Sequence, residues 1–565
     1  MRIALIVLVS WSLLVAHTVY SDEEAQGVVY EDIDADGIRD PDEAGIAGVR
    51  LSNGRNITVT DAQGAYQISL RDGDILFLTK PAGYMTPVSK DMLPRFYYIH
   101  QPNGSPSGLR YPGIAPTGPL PLSIDFGLRR RTESERFQAI LLADTQPATA
   151  VEVDWLRDDA VAELIGTPAL FGMTMGDIMY DDLSLFPRFN AVIGAIGIPW
   201  YNVPGNHDLN MLAEDDKTSL ETFKRYFGPP YYSFEVANAV FYVLDNIEYQ
   251  GRSDDPDSYR GEGRYEAVFG KQQLKWLERD LEFVPENKLV FLAMHAPLET
   301  YLGDAPTITT RDRRALFDLL SGREHLYAVA GHTHTTEHHY FGDEDGFAGP
   351  GELHHHILTT VSGSWWGGPL DARGIASAMQ RDGTPNGHHI LEVDGNQVTV
   401  RYQAASESSD KQLRIMIDAD YHHLERPVMN QFRPGDQLDG RISVDQVPST
   451  RVLVNLFDGG PKSTIRMQIG KGQWIPMVQT SRPDPLANEL FERYVELFKP
   501  FVSALPSSHI WSASLPQDLV PGTYTLSVSA TDEFGRSHHG HRILEIMGSS
   551  APQSADTLWP DAVTP

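Results

Sequence analysis

The chain has 565 residues, of which 41% are hydrophobic and 22% are charged, and its formal net charge is −30. This length exceeds what one hydrophobic core serves, so several domains are expected. The acidic balance disfavours nucleic acid and anionic lipid as partners, although bound metal ions could reverse the charge locally for an anionic substrate. The absence of cysteine excludes disulfides, zinc–thiolate sites, thiol nucleophiles and a lipid-anchored cysteine.

The first segment, 1–21, has the pattern of a secretory signal peptide. Arg2 supplies an early positive charge, an apolar run spans 3–15, and the small residue Ser21 ends the segment. Because the apolar run is short for a bilayer, we expect export to the bacterial periplasm or the medium, without a membrane anchor. At the other end, 548–565 is rich in Pro, Ala, Ser and Asp and indicates a disordered tail.

Residues 22–132 predict a small N-terminal β-sandwich. Short alternating runs, broken by Gly, Asp and Pro, occur at 49–51, 57–59 and 66–70.

Within this module, residues 32–43 fit a twelve-residue calcium loop, with oxygen donors at positions 1, 3, 5, 9 and 12 and glycine at position 6. The predicted calcium ligands are Asp32, Asp34, Asp36, Asp40 and Glu43. Flanking helices are not evident, so the expected site is a structural calcium loop on a β domain. The alternative is an acidic turn without metal.

Over residues 133–404 the sequence pattern changes to apolar strands that alternate with helices, which predicts an α/β domain. The predicted helices are 152–164 and 271–283. The predicted strands are 138–143, 169–175, 200–203, 240–244, 289–294 and 326–330. Residues 405–547 then return to β character, with one helix at about 486–498. The expected fold class is therefore multi-domain, with a central α/β unit between two β-rich domains.

Five strands of the central domain end in metal-binding residue types. These ends are Asp144-Thr145-Gln146, Gly176-Asp177, Gly205-Asn206-His207-Asp208, His295 and Gly331-His332-Thr333-His334. Ligands of open α/β sheets gather beyond the carboxyl ends of the strands, so if these strands share a sheet the five clusters converge on one edge. Carboxylates, imidazoles and an amide oxygen suit Mn, Fe or Zn, and one carboxylate can bridge two ions.

In residue pattern and order, these motifs resemble those of the calcineurin-like metallophosphoesterase superfamily, in its secreted bacterial type with N- and C-terminal β modules. The resemblance spans about half of the chain and implies a central αββα sandwich. It implies one ion held by Asp144, Gln146, Asp177 and His334, and another held by Asp177, Asn206, His295 and His332. It also implies a catalytic His207, with Asp181, Asp182 or Asp208 as candidates to orient it; we place Asp208 with His207 in the predicted catalytic group.

Two positions depart from or complicate that resemblance. Gln146 stands where the family has a histidine, and its amide oxygen is a weaker ligand. Tyr180 follows Asp177 as a similar tyrosine does in purple acid phosphatases, where it binds iron(III). Those enzymes lack the Asp-x-His/Gln feature that this chain has at Asp144 and Gln146, which favours a packing role for Tyr180.

The predicted activity is hydrolysis of a small phosphate mono- or diester by metal-activated hydroxide, with His207 stabilising the phosphate or protonating the leaving group. Two alternatives stay open: a purple acid phosphatase-like enzyme that uses Tyr180, and a non-catalytic exported binding protein with a degenerate core. The pairs and runs of histidine at 338–339, 354–356 and 388–389 lack partner motifs and are not assigned to the site. The sequence does not indicate the oligomeric state.

Overall fold

The computed structural model describes residues 22–253, 263–418 and 441–549. The predicted signal peptide, 1–21, and residues 550–565 of the predicted tail lie outside the described residues. Within the described ranges, every helix is too short or too polar to cross a membrane.

The N-terminal module consists of two four-stranded sheets, with strand orders β4-β1-β8-β6 and β3-β2-β5-β7. Its strands are β1 (Glu23–Glu31), β2 (Arg50–Ser52), β3 (Ile57–Val59), β4 (Ala65–Leu70), β5 (Asp74–Leu78), β6 (Tyr84–Met85), β7 (Tyr97–His100) and β8 (Phe126–Arg130). Alternate residues of β4 are buried, as the period of two in its sequence predicts.

The central domain contains thirteen described strands and six described helices, and its sequence expectation of α/β structure is confirmed. The strands are β9 (Arg136–Leu142), β10 (Phe171–Met175), β11 (Trp200–Val203), β12 (Tyr232–Val236), β13 (Ala239–Val243), β14 (Ile247–Tyr249), β15 (Tyr265–Ala267), β16 (Leu289–Ala293), β17 (Leu326–Ala330), β18 (Glu337–Phe341), β19 (Leu353–Ile357), β20 (Gly387–Asp394) and β21 (Gln397–Ala404). The helices are α1 (Ala150–Leu156), α2 (Phe186–Gly194), α3 (Asp216–Ser219), α4 (Glu221–Phe227), α5 (Lys271–Leu281) and α6 (Arg313–Leu320).

These strands build two main sheets, of order β11-β10-β9-β20-β21 and β12-β13-β16-β17-β19-β18. Phe171 of β10 meets Phe241 of β13 edge-on, with ring centroids 5.0 Å apart, so the sheets pack face to face. On β9, Leu141 belongs to the core between the sheets, whereas its neighbour Ile140 belongs to the core beneath α1 and α2. Trp276 of α5 packs against the outer face of the six-stranded sheet. The layers are therefore αββα.

The C-terminal module also consists of two sheets, of order β22-β24-β28-β27 and β23-β30-β29-β25-β26. Its elements are β22 (Leu413–Ile417), β23 (Arg441–Ser443), β24 (Arg451–Leu456), β25 (Thr464–Ile469), β26 (Ile475–Pro476), β27 (Val478–Pro483), α7 (Pro485–Arg493), β28 (Pro506–Ser514), β29 (Gly522–Thr531) and β30 (Ser537–Met547). The predicted multi-domain fold class, a central sandwich with flanking β-rich units, is confirmed.

Candidate metal centre

The strand ends that carry the predicted ligands meet at one edge of the sandwich, but they come from two sheets. Strands β9, β10 and β11 belong to the five-stranded sheet, whereas β16 and β17 belong to the six-stranded sheet. The strands therefore do not share one sheet, in keeping with the two sheets of the αββα sandwich that the resemblance implies. Within each sheet these strands are parallel, so their carboxyl ends lie on the same side, and face-to-face packing brings the two edges together.

Asp177 lies between two groups of the predicted ligands. Its Oδ1 is 3.2 Å from Nε2 of His295, and its Oδ2 accepts a hydrogen bond from Nε2 of Gln146 at 2.7 Å. Nε2 of His295 is also 3.1 Å from Oδ1 of Asn206 and 3.1 Å from Nδ1 of His332. Asp177 thus presents one oxygen to each group, as a bridging carboxylate does.

On the other side of Asp177, two buried atoms have no hydrogen-bond partner among the described residues. They are Oε1 of Gln146 and Nε2 of His334. Oδ1 of the buried Asp144 lies 3.6 Å from that same His334 nitrogen. Leaving buried polar atoms unpaired costs free energy, so their presence points to a ligand that is not a protein group. A carboxylate, an amide oxygen and an imidazole fit a transition metal ion.

The three predicted histidine ligands share a feature that the motifs do not reveal: one ring nitrogen of each contacts a backbone carbonyl. The pairs are His295 Nδ1 with Met175 at 2.8 Å, His332 Nε2 with Thr307 at 2.8 Å, and His334 Nδ1 with Gly363. A carbonyl holds the proton on the nitrogen that it contacts and leaves the other nitrogen free to bind metal. Burial lowers the pKa of His332 and His334 to about 3, so both rings are neutral.

The electrostatics of the site also favour cations. Burial raises the pKa of Asp144 to about 7, which means that its charged form is poorly compensated by the protein alone. Burial acts to lower the pKa of His295 and His207, but nearby carboxylates together outweigh it and raise both values to about 9. These carboxylates are Asp177 at both rings, Asp144 at His295 and Asp181 at His207. Bound cations would offset this concentration of negative charge.

Strained backbone is concentrated at the same place. Thirteen described residues other than glycine have a positive φ, and eight of them surround this site. These eight are Asp144, Gln146, Asp177, Asp181, His332, His334, Trp365 and Trp366. Each such residue costs about 1–3 kcal/mol and persists where the surrounding structure enforces it, typically at a functional site.

Two glycines are required because other groups approach them closely. A Cβ atom on Gly331 would lie 2.1 Å from Oδ2 of Asp144, and one on Gly205 would lie 2.1 Å from the backbone nitrogen of Asp177. Both contacts are far inside van der Waals distance, so any side chain at these positions would displace a predicted ligand.

His207 lies at the opening of the site, with 22% of its side chain exposed. Its Nδ1 is 2.7 Å from Oδ1 of Asp181, and its ring stacks on Tyr180 with centroids 4.6 Å apart. Its backbone N–H donates to Oδ1 of Asp177 at 2.8 Å. Of the three carboxylates that could orient His207, the structure selects Asp181, and Tyr180 takes a packing position.

Asp208 and Asp182 have other partners. The Asp208 carboxylate is fully buried and accepts the backbone N–H groups of Gly205, Ile178 and Met179 at 2.9 to 3.2 Å. The structure thus places Asp181, rather than Asp208, against the His207 ring, and backbone donors occupy the oxygens of Asp208. The catalytic role of Asp208 stays a prediction from the sequence. Asp182 accepts the N–H of Ser184 at 3.1 Å and caps the following turn.

The rim of the site combines Trp365 of the central domain with Lys499 and Phe501 of the C-terminal module, a contact that the sequence does not reveal. Trp365 stacks on His334 with ring centroids 3.8 Å apart, and Phe501 meets Trp365 edge-on at 4.8 Å. Nζ of Lys499 lies 3.9 Å from the centroid of the Tyr180 ring. These contacts bring an aromatic surface and a positive charge to the opening.

The predicted calcium loop is partly assembled. The carboxylates of Asp32, Asp34 and Asp36 each place one oxygen within 4.8 Å of the others. Glu43 instead accepts the backbone N–H groups of Ile33 and Asp40, at 2.7 and 3.0 Å. Calcium binding stays a prediction from the sequence.

Comparison with known families matches three consecutive parts of the chain. Residues 33–111 match the N terminal of calcineurin-like phosphoesterase, 140–336 match calcineurin-like phosphoesterase, and 355–538 match the C terminal of calcineurin-like phosphoesterase.

Curated relatives match part of the chain. Tartrate-resistant acid phosphatase type 5 of Sus scrofa is 28% identical over 157 residues, which are 26% of this chain and 44% of that protein. The human protein of the same name is 26% identical over 38% of this chain and 65% of its own length. The probable glycerophosphodiester phosphodiesterase GpdQ of Arcobacter nitrofigilis is 26% identical over 26% of this chain and 50% of its own length. The chain thus spans about half the length of the relatives it matches.

Among solved structures, purple acid phosphatase PPD1 from yellow lupin (Lupinus luteus) aligns with a TM-score of 0.34 and 12% identity, covering 63% of this chain and 67% of that one.

Proposed function

We propose that this chain, which belongs to the calcineurin-like phosphoesterases, hydrolyses small phosphate mono- or diesters with two bound metal ions. The observation that carries the proposal is the position of Asp177. Its Oδ1 faces His295 and its Oδ2 faces Gln146, so one carboxylate serves both groups of ligands.

The proposed ligand sets share Asp177. One ion would be held by Asp144, Gln146, Asp177 and His334, and the other by Asp177, Asn206, His295 and His332. Mn, Fe and Zn fit these mixed nitrogen and oxygen donors. When bound, such a pair makes water more acidic and neutralises charge on the phosphate oxygens.

The protein's own contribution to the chemistry comes from His207 and its partners. Because Nδ1 of His207 faces Asp181, Nε2 is the nitrogen that can donate to a phosphate oxygen or to the leaving group. The stack with Tyr180 fixes the plane of the imidazole ring. Asp181 favours the protonated ring, which is the form that donates.

The substrate class follows from the relatives and the rim. The relatives include both acid phosphatases and a probable phosphodiesterase, so both ester types are candidates for this chain. The aromatic ring of Trp365 and the charge of Lys499 suit a small ester that carries an apolar group. The signal-peptide pattern of residues 1–21 supports export, so we propose a substrate outside the cytoplasm.

The test is a turnover panel with p-nitrophenyl phosphate and its bis ester, run on protein loaded with Mn, Fe, Zn or Mg. We expect hydrolysis of at least one ester, and a loss of about 100-fold or more in kcat for His207→Ala with its metal content retained. His541→Ala, an exposed histidine of the C-terminal module, is the control. If the metal-loaded chain cleaves neither ester, the binding-protein alternative replaces the proposal.

The purple acid phosphatase alternative has its own readout. It requires a visible charge-transfer colour from Tyr180 on iron(III), lost in Tyr180→Phe. We expect no such colour, because the Tyr180 ring packs on His207 beneath Lys499.

A further inference from the structure

Four buried side chains outside the proposed active site converge on a second point. Oδ1 of Asp458 lies 3.3 Å from Nε2 of His338, 2.9 Å from Nε2 of His356 and 3.5 Å from Nε2 of His389. We call these four buried residues the His3Asp cluster. The sequence does not reveal the cluster, because its members are dispersed and follow no motif.

The cluster joins three sheets and two domains. His338 and His356 face each other across the antiparallel pair β18 and β19 of the six-stranded sheet. His389 lies on β20 of the five-stranded sheet, and Asp458 follows β24 of the C-terminal module. The His3Asp cluster therefore brings both sheets of the central sandwich into contact with the C-terminal module at one point.

The polar atoms of the cluster are not satisfied by hydrogen bonds. Within the described chain, Nε2 of His338, both ring nitrogens of His389 and Oδ2 of Asp458 have no hydrogen-bond partner. Buried polar atoms are nearly always paired, so four unpaired atoms at one point need an explanation. A network of His–Asp hydrogen bonds does not supply it, because only His356 is aligned with the carboxylate as a hydrogen bond.

The separations fit a metal ion instead. Ligand atoms bonded at about 2.0–2.2 Å to a tetrahedral zinc ion lie roughly 3.3–3.5 Å from one another. The distances from Asp458 Oδ1 to His338 and His389, 3.3 and 3.5 Å, fall at this value. His338, His356 and Asp458 each offer a ligand atom within 4.8 Å of the others, whereas His389 lies close to Asp458 but outside that group of three.

Outer contacts orient two of the rings as metal-binding histidines require. Nδ1 of His338 lies 2.9 Å from Nε2 of His354, and Nδ1 of His356 lies 3.0 Å from the hydroxyl of Tyr327. In the tautomer that carries the proton on Nδ1, Nε2 of each ring is left to bind an ion beside Asp458.

We propose that the His3Asp cluster binds a structural transition metal ion of the zinc class, which ties the two central sheets to the C-terminal module. His338, His356 and Asp458 are the core ligands, and His389, 3.5 Å from Asp458, is the proposed fourth. A site with four protein ligands has no open position, as in structural rather than catalytic zinc sites. The chain has no cysteine, so histidine and aspartate are the ligands available for such a site. This inference does not depend on the proposed function, since it uses none of the active-site ligands.

The test counts metal in the full-length protein. We expect His356→Gln and Asp458→Asn each to contain one zinc equivalent fewer per chain than wild type, with turnover retained and a lower thermal midpoint. His355→Gln is the matched control, because His355 is the buried neighbour on the same strand and its Nε2 instead accepts the N–H of Leu298 at 3.1 Å. We expect His355→Gln to keep its full metal content.

A second measurement tests the proposal even if the His356 and Asp458 variants do not fold. A chain carrying His332→Ala and His334→Ala, which weakens the active centre but keeps the His3Asp cluster, is titrated with Co²⁺. We expect the strong visible absorption of tetrahedral cobalt. The proposal is overturned by equal zinc in His356→Gln and wild type, by equal loss in His355→Gln, or by the absence of that absorption.

Discussion

The ammonium group of Lys499 lies 3.9 Å from the centre of the Tyr180 ring, and that ring stacks on His207 at 4.6 Å. Lys499 belongs to the C-terminal module, whereas Tyr180 and His207 belong to the central domain. The C-terminal module therefore contributes a positive charge to the opening of the proposed active site. We expect this charge to assist substrate binding, which Lys499→Ala tests.

For Lys499→Ala we expect KM for a phosphate ester to rise about two- to five-fold with little change in kcat, since such a cation contributes about 0.5–1 kcal/mol. Burial lowers the pKa of Lys499, so the wild-type advantage should fade as pH rises, earlier than for an ordinary lysine. Steady-state kinetics across pH measure both effects. Lys462→Ala is the control, because Lys462 lies 3.5 Å above the ring of Tyr340, away from the ligands. Equal KM changes in both variants would contradict the prediction.

Asp181→Asn tests the partner of His207. The substitution removes the charge that favours the protonated imidazole, so we expect kcat to fall about tenfold or more while metal content stays unchanged. Asp182→Asn is the matched control, since Asp182 caps a turn through Ser184 and asparagine caps equally well. Rates and metal content are measured on both proteins. A normal kcat in Asp181→Asn would remove Asp181 from the mechanism.

The parts of this site that the sequence predicts are those carried by neighbouring residues. An apolar strand followed by Gly331, His332 and His334 is a local pattern, and its meaning does not depend on what packs beside it. The same holds for the alternation along β9, where Ile140 and Leu141 face different cores. Elements of this kind were predictable because their period and their ligands lie within a few residues.

The missed features depend on contacts between distant segments. The strand ends belong to two sheets because β12 and β13, rather than β11, pair into the layer that contains β16 and β17. No periodicity encodes that choice. Lys499 reaches Tyr180, and Asp458 reaches His356, only after the C-terminal module has docked. The carbonyl groups that orient the histidines belong to the backbone, so no residue type in the sequence marks their positions.

Gln146→His tests the departure from the family pattern. Histidine tolerates a positive φ, such as the 36° of Gln146, and imidazole binds transition metals more strongly than an amide oxygen. We expect affinity at that site to rise about tenfold, or roughly 1.4 kcal/mol, in competition with a chromophoric chelator. Gln146→Ala should lose affinity instead. If all three proteins bind metal equally, Gln146 is not a ligand.

Gly331→Ala tests how closely the two strand ends must approach. The new Cβ would lie 2.1 Å from Oδ2 of Asp144, so either the carboxylate or the backbone of the following histidines must move. We expect loss of about one ion per chain and a fall in kcat, with a cost in stability of about 1–3 kcal/mol from overpacking. Metal analysis, kinetics and thermal melting measure the three effects.

Gly322→Ala is the matched control for that substitution. No atom lies within 4 Å of a Cβ placed on Gly322, so we expect full metal content, normal turnover and a stability within about 1 kcal/mol of wild type. The comparison separates the close approach from the general effect of replacing a glycine. Full metal and normal turnover in Gly331→Ala would mean that Asp144 can leave its observed position without consequence, and the proposed first ion would lose a ligand.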